Sequence, residues 1–193
     1  SLFQPEQIVK YGELTLRENQ IAYAEPGFFR LFDFELLKGD KKTCLSMPGQ
    51  VVITERIARK YFKDEDPIGK IFIFTGAYDK ISCEVTGVMK EMPSNSHIHY
   101  NFLISYKSLP KYVQEYWYKH EAYTYVLLDS PERKVEIEKK FPVMAEKYKT
   151  DEALKNKIWG VSLIPLADIH LTPQVGYEAE TKGNRSSMIA LIF

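Results

Sequence analysis

Little in this 193-residue sequence advertises a chemistry, and its shortages exclude several functions. Cysteine is scarce: Cys44 and Cys83 stand outside any CxxC pair, and two cysteines make no disulfide framework. Neither sign of charge is in excess, with 26 Lys plus Arg against 26 Asp plus Glu. That removes the electrostatic case for a nucleic acid or an anionic membrane surface as partner. No apolar run approaches the ~18 residues that a membrane helix needs. The opening "SLFQPEQ" has neither a basic segment nor an apolar run, so it does not read as a signal peptide. No internal repeat, low-complexity tract or Gly-x-Ser-x-Gly elbow occurs.

What is plentiful is aromatic: 13 Tyr and 11 Phe, within an apolar fraction of 45%. Such a chain folds, favours strands, and is long enough for one domain or two small lobes. Alternation makes Leu14 and Leu16, then Ile21 and Tyr23, two short strands. Phe28 to Phe32 predicts a helical turn, and Phe34 to Leu37 extended chain before Gly39-Asp40. "GQVVITERIARKYF" reads as strand, then helix. Thr54 is placed to cap it, Glu55 lies in its first turn, and Ile57, Ala58, Tyr61 and Phe62 form its apolar face. Residues 70–74 and 81–89 predict strands joined about Gly76, with Ile81, Cys83 and Val85 on one face. On this pattern Cys83 is a small core residue, while a Cys44–Cys83 bridge would require an oxidising compartment. Further strands are expected at 98–106 and 123–129. A helix is expected with Ser130 as its cap and Pro131 at its first position, interrupted at Pro142 and resuming to about Tyr148. Residues 161–171 read as extended and 172–187 as polar and turn-rich. The fold class is α+β, a mixed sheet with two or three helices.

Gly69-Lys70 resembles the end of a phosphate-binding loop, but the pattern fails. Asp64 stands where the first glycine belongs, Ile71 follows the lysine, and Asp64, Glu65 and Asp66 would repel phosphate. Asp66, Pro67 and Gly69 instead fit positions i, i+1 and i+3 of a type I turn. His97 and His99 have the spacing of metal ligands on one strand face, with Glu84 or Glu91 as the acids that could join them. A metal-dependent hydrolase built on this pair is one alternative, and a structural pair is the default. Pro93, Ser94, Asn95 and Ser96 form a loop whose side chains can bond their own backbone. Tyr112, Tyr116, Trp117, Tyr118 and Tyr123 could line a groove, which makes a ligand-binding sensor domain the other alternative. Packing over a sheet is their simpler use.

Four blocks in order, "AYAEPGFFRLFDFELLKGD", "VVITERIARKYFKDEDPIGKIF", "CEVTGVMKEMPSNSHIHYNFLISYKSL" and "IPLADIHL", resemble the MacB-like periplasmic core domain of ABC transporter permeases of the MacB/FtsX type. They cover most of residues 22–171. The resemblance implies a two-lobed fold, a porter-like lobe plus an inserted lobe, lying outside the cytoplasmic membrane between two membrane helices. It implies a domain over 1–185 that starts partway into the family's domain, with "SSMIALIF" (186–193) as the start of the next membrane helix. It implies a non-enzymatic role without cofactor or metal: coupling ATP hydrolysis by a separate cytoplasmic ATPase subunit or domain to movement in the periplasm, for export or for handling a lipoprotein or adaptor partner. The family offers no catalytic residues to carry over. The matching positions Thr54, Asp66, Pro67, Gly69, Gly87, Pro93, Asn95, Ser96 and His97 are architectural: cap, turns and loop.

Overall fold

Leu2–Tyr11 (β1) and Leu14–Ala24 (β2) form one long antiparallel hairpin that turns at Gly12, whose φ is +55°. This is a computed structural model that describes residues 2–76, 80–114, 122–148 and 162–171. The two short strands expected between Leu14 and Tyr23 are therefore a single strand, and β1 precedes it. The reason is local. Gln20, facing Pro5 of β1, takes a φ of +57°, and this shifts the alternation by one residue. Leu16 and Glu18 before it and Ile21 and Tyr23 after it all reach the buried side. β1 itself is mostly polar and carries Pro5, which reads against a strand.

The chain continues through α1 (Phe28–Leu31), β3 (Leu36–Lys38), β4 (Gln50–Thr54), α2 (Glu55–Phe62), β5 (Ile71–Thr75), β6 (Lys80–Met89), β7 (Phe102–Ser105) and α3 (Lys111–Gln114). β2 pairs in parallel with β7, β7 antiparallel with β4, and β4 in parallel with β6. β6 pairs antiparallel with β5, and β5 pairs antiparallel with β1, so the mixed sheet closes into a ring of six strands with β3 as a short edge on β6. Alternate residues turn inward, as closure of a sheet requires. Val9, Ile21, Val51, Phe72, Val85 and Phe102, one from each ring strand, share a cluster with Ile57, Tyr61 and Phe62 of α2.

Val51, Val52 and Ile53 of β4 and every residue of β7 are buried, which explains their unbroken apolar runs. Their second face is covered by the segment after β3. There Ser105 donates its hydroxyl to the Leu45 carbonyl (3.0 Å), and Thr86 donates to the Cys44 carbonyl (2.6 Å). Cys83 sits in the inner cluster, while Cys44 belongs to the covering segment. Both are buried free thiols, and burial pushes Cys44 up to about 11 and Cys83 to about 12. A thiol reagent at neutral pH should label neither in the folded chain and both after denaturation without reductant. Fewer than two reactive thiols in the denatured chain would mean a bridge.

Several expected elements shift. The strand at 98–106 shortens to β7, because Ile98 and Tyr100 are buried by loop packing, with the Tyr100 amide on the Met92 sulfur (3.3 Å), and not by a ladder. Residues 123–129 form no strand: Val126 and Leu127 are exposed, while Tyr125 packs against Phe32. α4 (Arg133–Glu138) begins after Glu132. Ser130 is not its cap, because its carbonyl and that of Pro131 accept the Arg133 and Lys134 amides in a preceding turn. The interruption at Pro142 occurs as expected: α5 (Phe141–Tyr148) holds Pro142 in its first turn. Leu166–Leu171 form 3-10 turns and not extended chain, starting where Pro165 accepts the Asp168 amide (2.9 Å). Residues 1–126 and 127–193 form two compact units. Tyr116, Trp117, Tyr118 and residues 172–193 lie outside the described residues.

Candidate functional site

α2 is the element to which the singled-out residues lead. Thr54 caps it as expected, its hydroxyl accepting the Ile57 amide (3.4 Å). The other first-turn donor, the Arg56 amide, is taken by the Glu91 carboxylate (3.0 Å), a negative group where the helix dipole favours one. The Arg56 guanidinium reaches the same carboxylate (3.4 Å) and the buried Asn101 side chain (2.5 Å). Asn101 in turn accepts the Thr54 amide (3.0 Å) and donates its own to the Gln20 carbonyl (2.7 Å), joining the cap to the irregular point of β2. Further along α2, Glu18 of β2, only 5% exposed, accepts Lys60 (2.6 Å) and the Tyr61 hydroxyl (2.7 Å). Burial, with this carboxylate beside it, raises the Tyr61 hydroxyl far above the ordinary tyrosine range. Polar bonds thus pin α2 to the sheet at both ends, and its apolar face locks it between them. Asn101 and Glu18 carried no sequence signal, and Glu91 stood out only as an acid that could join the histidine pair; each acts on α2 across more than thirty residues of chain.

The loop after Glu91 is tightly organised. The Ser96 amide bonds the Pro93 carbonyl (2.9 Å), Ser96 Oγ accepts the Ile98 amide (3.3 Å), and His99 Nε2 lies 2.9 Å from the same Pro93 oxygen. Asn95 is exposed at its tip. The His97 ring packs 5.7 Å from Phe32 and 5.4 Å from Tyr125. Both histidines thus have structural work in the loop. Among the described residues, no group of three or more His, Cys, Asp or Glu side chains gathers as metal ligands would.

Asp66, Pro67 and Gly69 lead the chain into β5, and Gly87 lies in the neighbouring β6. The turn comes one residue later than expected: Lys70 donates to the Pro67 carbonyl (3.1 Å), which puts Gly69, with φ +79°, at i+2, the position a type II turn gives to glycine. Asp66 lies before the turn. Its carboxylate accepts the Ile68 amide (3.2 Å) and Lys38 (3.0 Å), and the lysine bond first of all holds its carboxyl below the usual carboxylate range. Lys70 bonds Glu65 (2.8 Å), so the lysine of the apparent phosphate loop is already engaged with an acid. Gly69 and Lys70 extend the β5–β6 ladder by bonding Val85 (2.9 and 2.8 Å). A Cβ at Gly69 would touch nothing within 4 Å. Gly69→Val should therefore cost only the strain of its backbone angle, about 1–2 kcal/mol, read as a lower urea midpoint with an unchanged slope.

Beyond Val85 the pairing skips Thr86: Val51 faces Val85 but Val52 faces Gly87. Gly39, with φ +95°, crosses this bulge so closely that an added Cβ would run into the Thr86 carbonyl and lie 3.0 Å from Gly87 Cα. A Cβ at Gly87 would itself stand 3.2 Å from the Lys38 carbonyl. In geometry, Thr54 caps α2, Pro67 to Lys70 turn the chain into β5, and Gly39 and Gly87 let the covering segment cross β6 closely.

The chain matches the MacB-like periplasmic core domain over residues 2–142. No curated protein matches it. Among solved structures it is similar to a domain assigned to a permease protein from Porphyromonas gingivalis, with a TM-score of 0.61 and 21% identity over 80% of this chain and 65% of that one. It is similar also to the extracellular domain of the ABC-type transporter YknZ from Gram-positive bacteria, with a TM-score of 0.54 and 18% identity over 79% of this chain and 76% of that one. The periplasmic region of MacB from Actinobacillus actinomycetemcomitans gives a TM-score of 0.52 and 14% identity over 82% of this chain and 75% of that one. At these identities the structures establish the shared mixed α+β fold. The match over residues 2–142, taking in the α2 cap, the β6 bulge and the His97 loop, settles the assignment: the chain belongs to the MacB-like periplasmic core domain family.

Proposed function

We propose that the chain is the periplasm-facing domain of an ABC transporter permease in the cytoplasmic membrane, a non-catalytic part that transmits movement. The family match over residues 2–142 carries this reading. One of the similar structures is the extracellular domain of an ABC-type transporter and another is the periplasmic region of MacB, which supports it. In this reading the domain runs over 1–185, residues 186–193 begin a membrane helix, and an ATPase subunit or domain lies on the cytoplasmic side. No helix among the described residues is long and apolar enough to cross a membrane. The work delivered is export, or the handling of a lipoprotein or adaptor partner.

Energy must then enter elsewhere. Calorimetric titration of the chain with Mg-ATP should give no saturable heat, and the full-length permease should co-purify with an ATPase. Saturable binding to the chain at micromolar affinity would refute the reading.

A further inference from the structure

The strands of the ring pair over unequal lengths. β1 pairs with β2 along nearly its whole length, from Leu2 to Tyr11, but with β5 only from Ile8 to Lys10. β4 and β7 also pair over three residues, Val51 to Ile53, so what sets the β1–β5 seam apart is what stands at its ends. Its two ends differ. At one end the Tyr11 ring packs edge-on against Phe62 (4.7 Å) and Phe72 (5.9 Å), an apolar anchor. At the other end stands Gln7, 4% exposed and facing the sheet interior opposite Glu18. Its amide shares a hydrogen bond with the Tyr23 hydroxyl, yet its Oε1 accepts none. Turning the amide over would only exchange which end is orphaned. Gly76, just past β5, lies so near that a Cβ there would come within 2.7 Å of the Gln7 Cδ.

An orphaned buried polar atom costs about 1–3 kcal/mol, and water would relieve that cost if the seam parted. We infer that the β1–β5 seam is a latch, which opens from the Gln7–Gly76 end while the Tyr11–Phe62–Phe72 contact acts as its hinge. Closing the ring strands Gln7 Oε1, and opening it hydrates that atom at the loss of a few ladder bonds. Among the described residues no other ring strand holds a buried side-chain atom in the state of Gln7 Oε1, and Val51–Ile53 of β4 and all of β7 are buried. Use of the latch in coupling rests on the function proposed above; the opening itself does not.

Hydrogen exchange on the 193-residue chain tests it. Amides that bridge Ile8–Lys10 and Ile73–Thr75 should exchange faster than those between β4 and β7. Gln7→Met, which keeps the volume and removes the orphan, should slow the seam amides at least about tenfold, equivalent to about 1.4 kcal/mol, and leave the β4–β7 amides unchanged. A second variant does not touch the core. Lys10 and Ile73 are paired across the seam and outward of the inner cluster, so Lys10→Cys with Ile73→Cys can be bridged there, the native thiols being buried. The oxidised form should slow seam exchange and reduction should restore it. Seam amides as protected as those of β4–β7, or exchange indifferent to both changes, would overturn the latch.

Discussion

Phe72→Ala is expected to lower the stability of the chain by about 4 kcal/mol, within the range that removal of a buried ring costs. Phe72 is fully buried and meets five other rings, drawn from β1, α2, β5 and β7: Tyr11 (5.9 Å), Tyr61 (4.9 Å), Phe62 (5.4 Å), Phe74 (5.9 Å) and Phe102 (5.8 Å). Truncation removes both the buried area and these edge contacts. The surrounding rings are held by one another and cannot collapse into the space. Urea unfolding monitored by tyrosine fluorescence measures the loss. A change below about 2 kcal/mol would place Phe72 outside a close-packed core.

Gly39→Ala should follow, with a loss of about 3 kcal/mol from a single methyl group. Two causes add. Backbone with φ of +95° is unfavourable for any L side chain, worth about 1–2 kcal/mol. The new Cβ would also meet the Thr86 carbonyl, a backbone atom fixed by the β6 bulge, and such overpacking costs about 1–3 kcal/mol. Gly69→Ala separates the causes, because Gly69 shares the positive φ but faces open space. If both alanine variants lose the same amount, the close crossing of the covering segment over β6 is wrong.

The contrast between these two glycines illustrates what the sequence disclosed. Gly69 was legible as a turn residue because Asp66, Pro67 and Gly69 obey a local rule. Even so, the register was one residue out, since the positive φ of Gly69 suits position i+2 and the turn closes from Lys70 to Pro67. Thr54, the α2 face, the β5–β6 pair and the break at Pro142 were legible for the same local reason. Gly39 was visible only as punctuation, because its role is to let the backbone pass a bulge far along the chain. β1 and the continuity of β2 were hidden by Pro5 and by the shifted alternation at Gln20. The helix pins Glu18, Glu91 and Asn101 are ordinary polar residues until the fold brings α2 to them. His97 and His99 have ligand spacing along a strand, but the fold sets the His97 ring tilted to Phe32 and edge-on to Tyr125, and the His99 ring beside a backbone carbonyl. The family came from the order of four sequence blocks, which no single motif would have supplied.

In the proposed function, ATP used across the membrane moves a domain that binds no nucleotide itself. Hydrogen exchange over residues 2–142 in the full-length permease, assembled with its ATPase, addresses this directly when nucleotide-free and vanadate-trapped states are compared. Protection within the domain should change on trapping, first at the β1–β5 seam, while the isolated chain shows no response to Mg-ATP. Identical protection in both states throughout residues 2–142 would refute a coupling role for the domain.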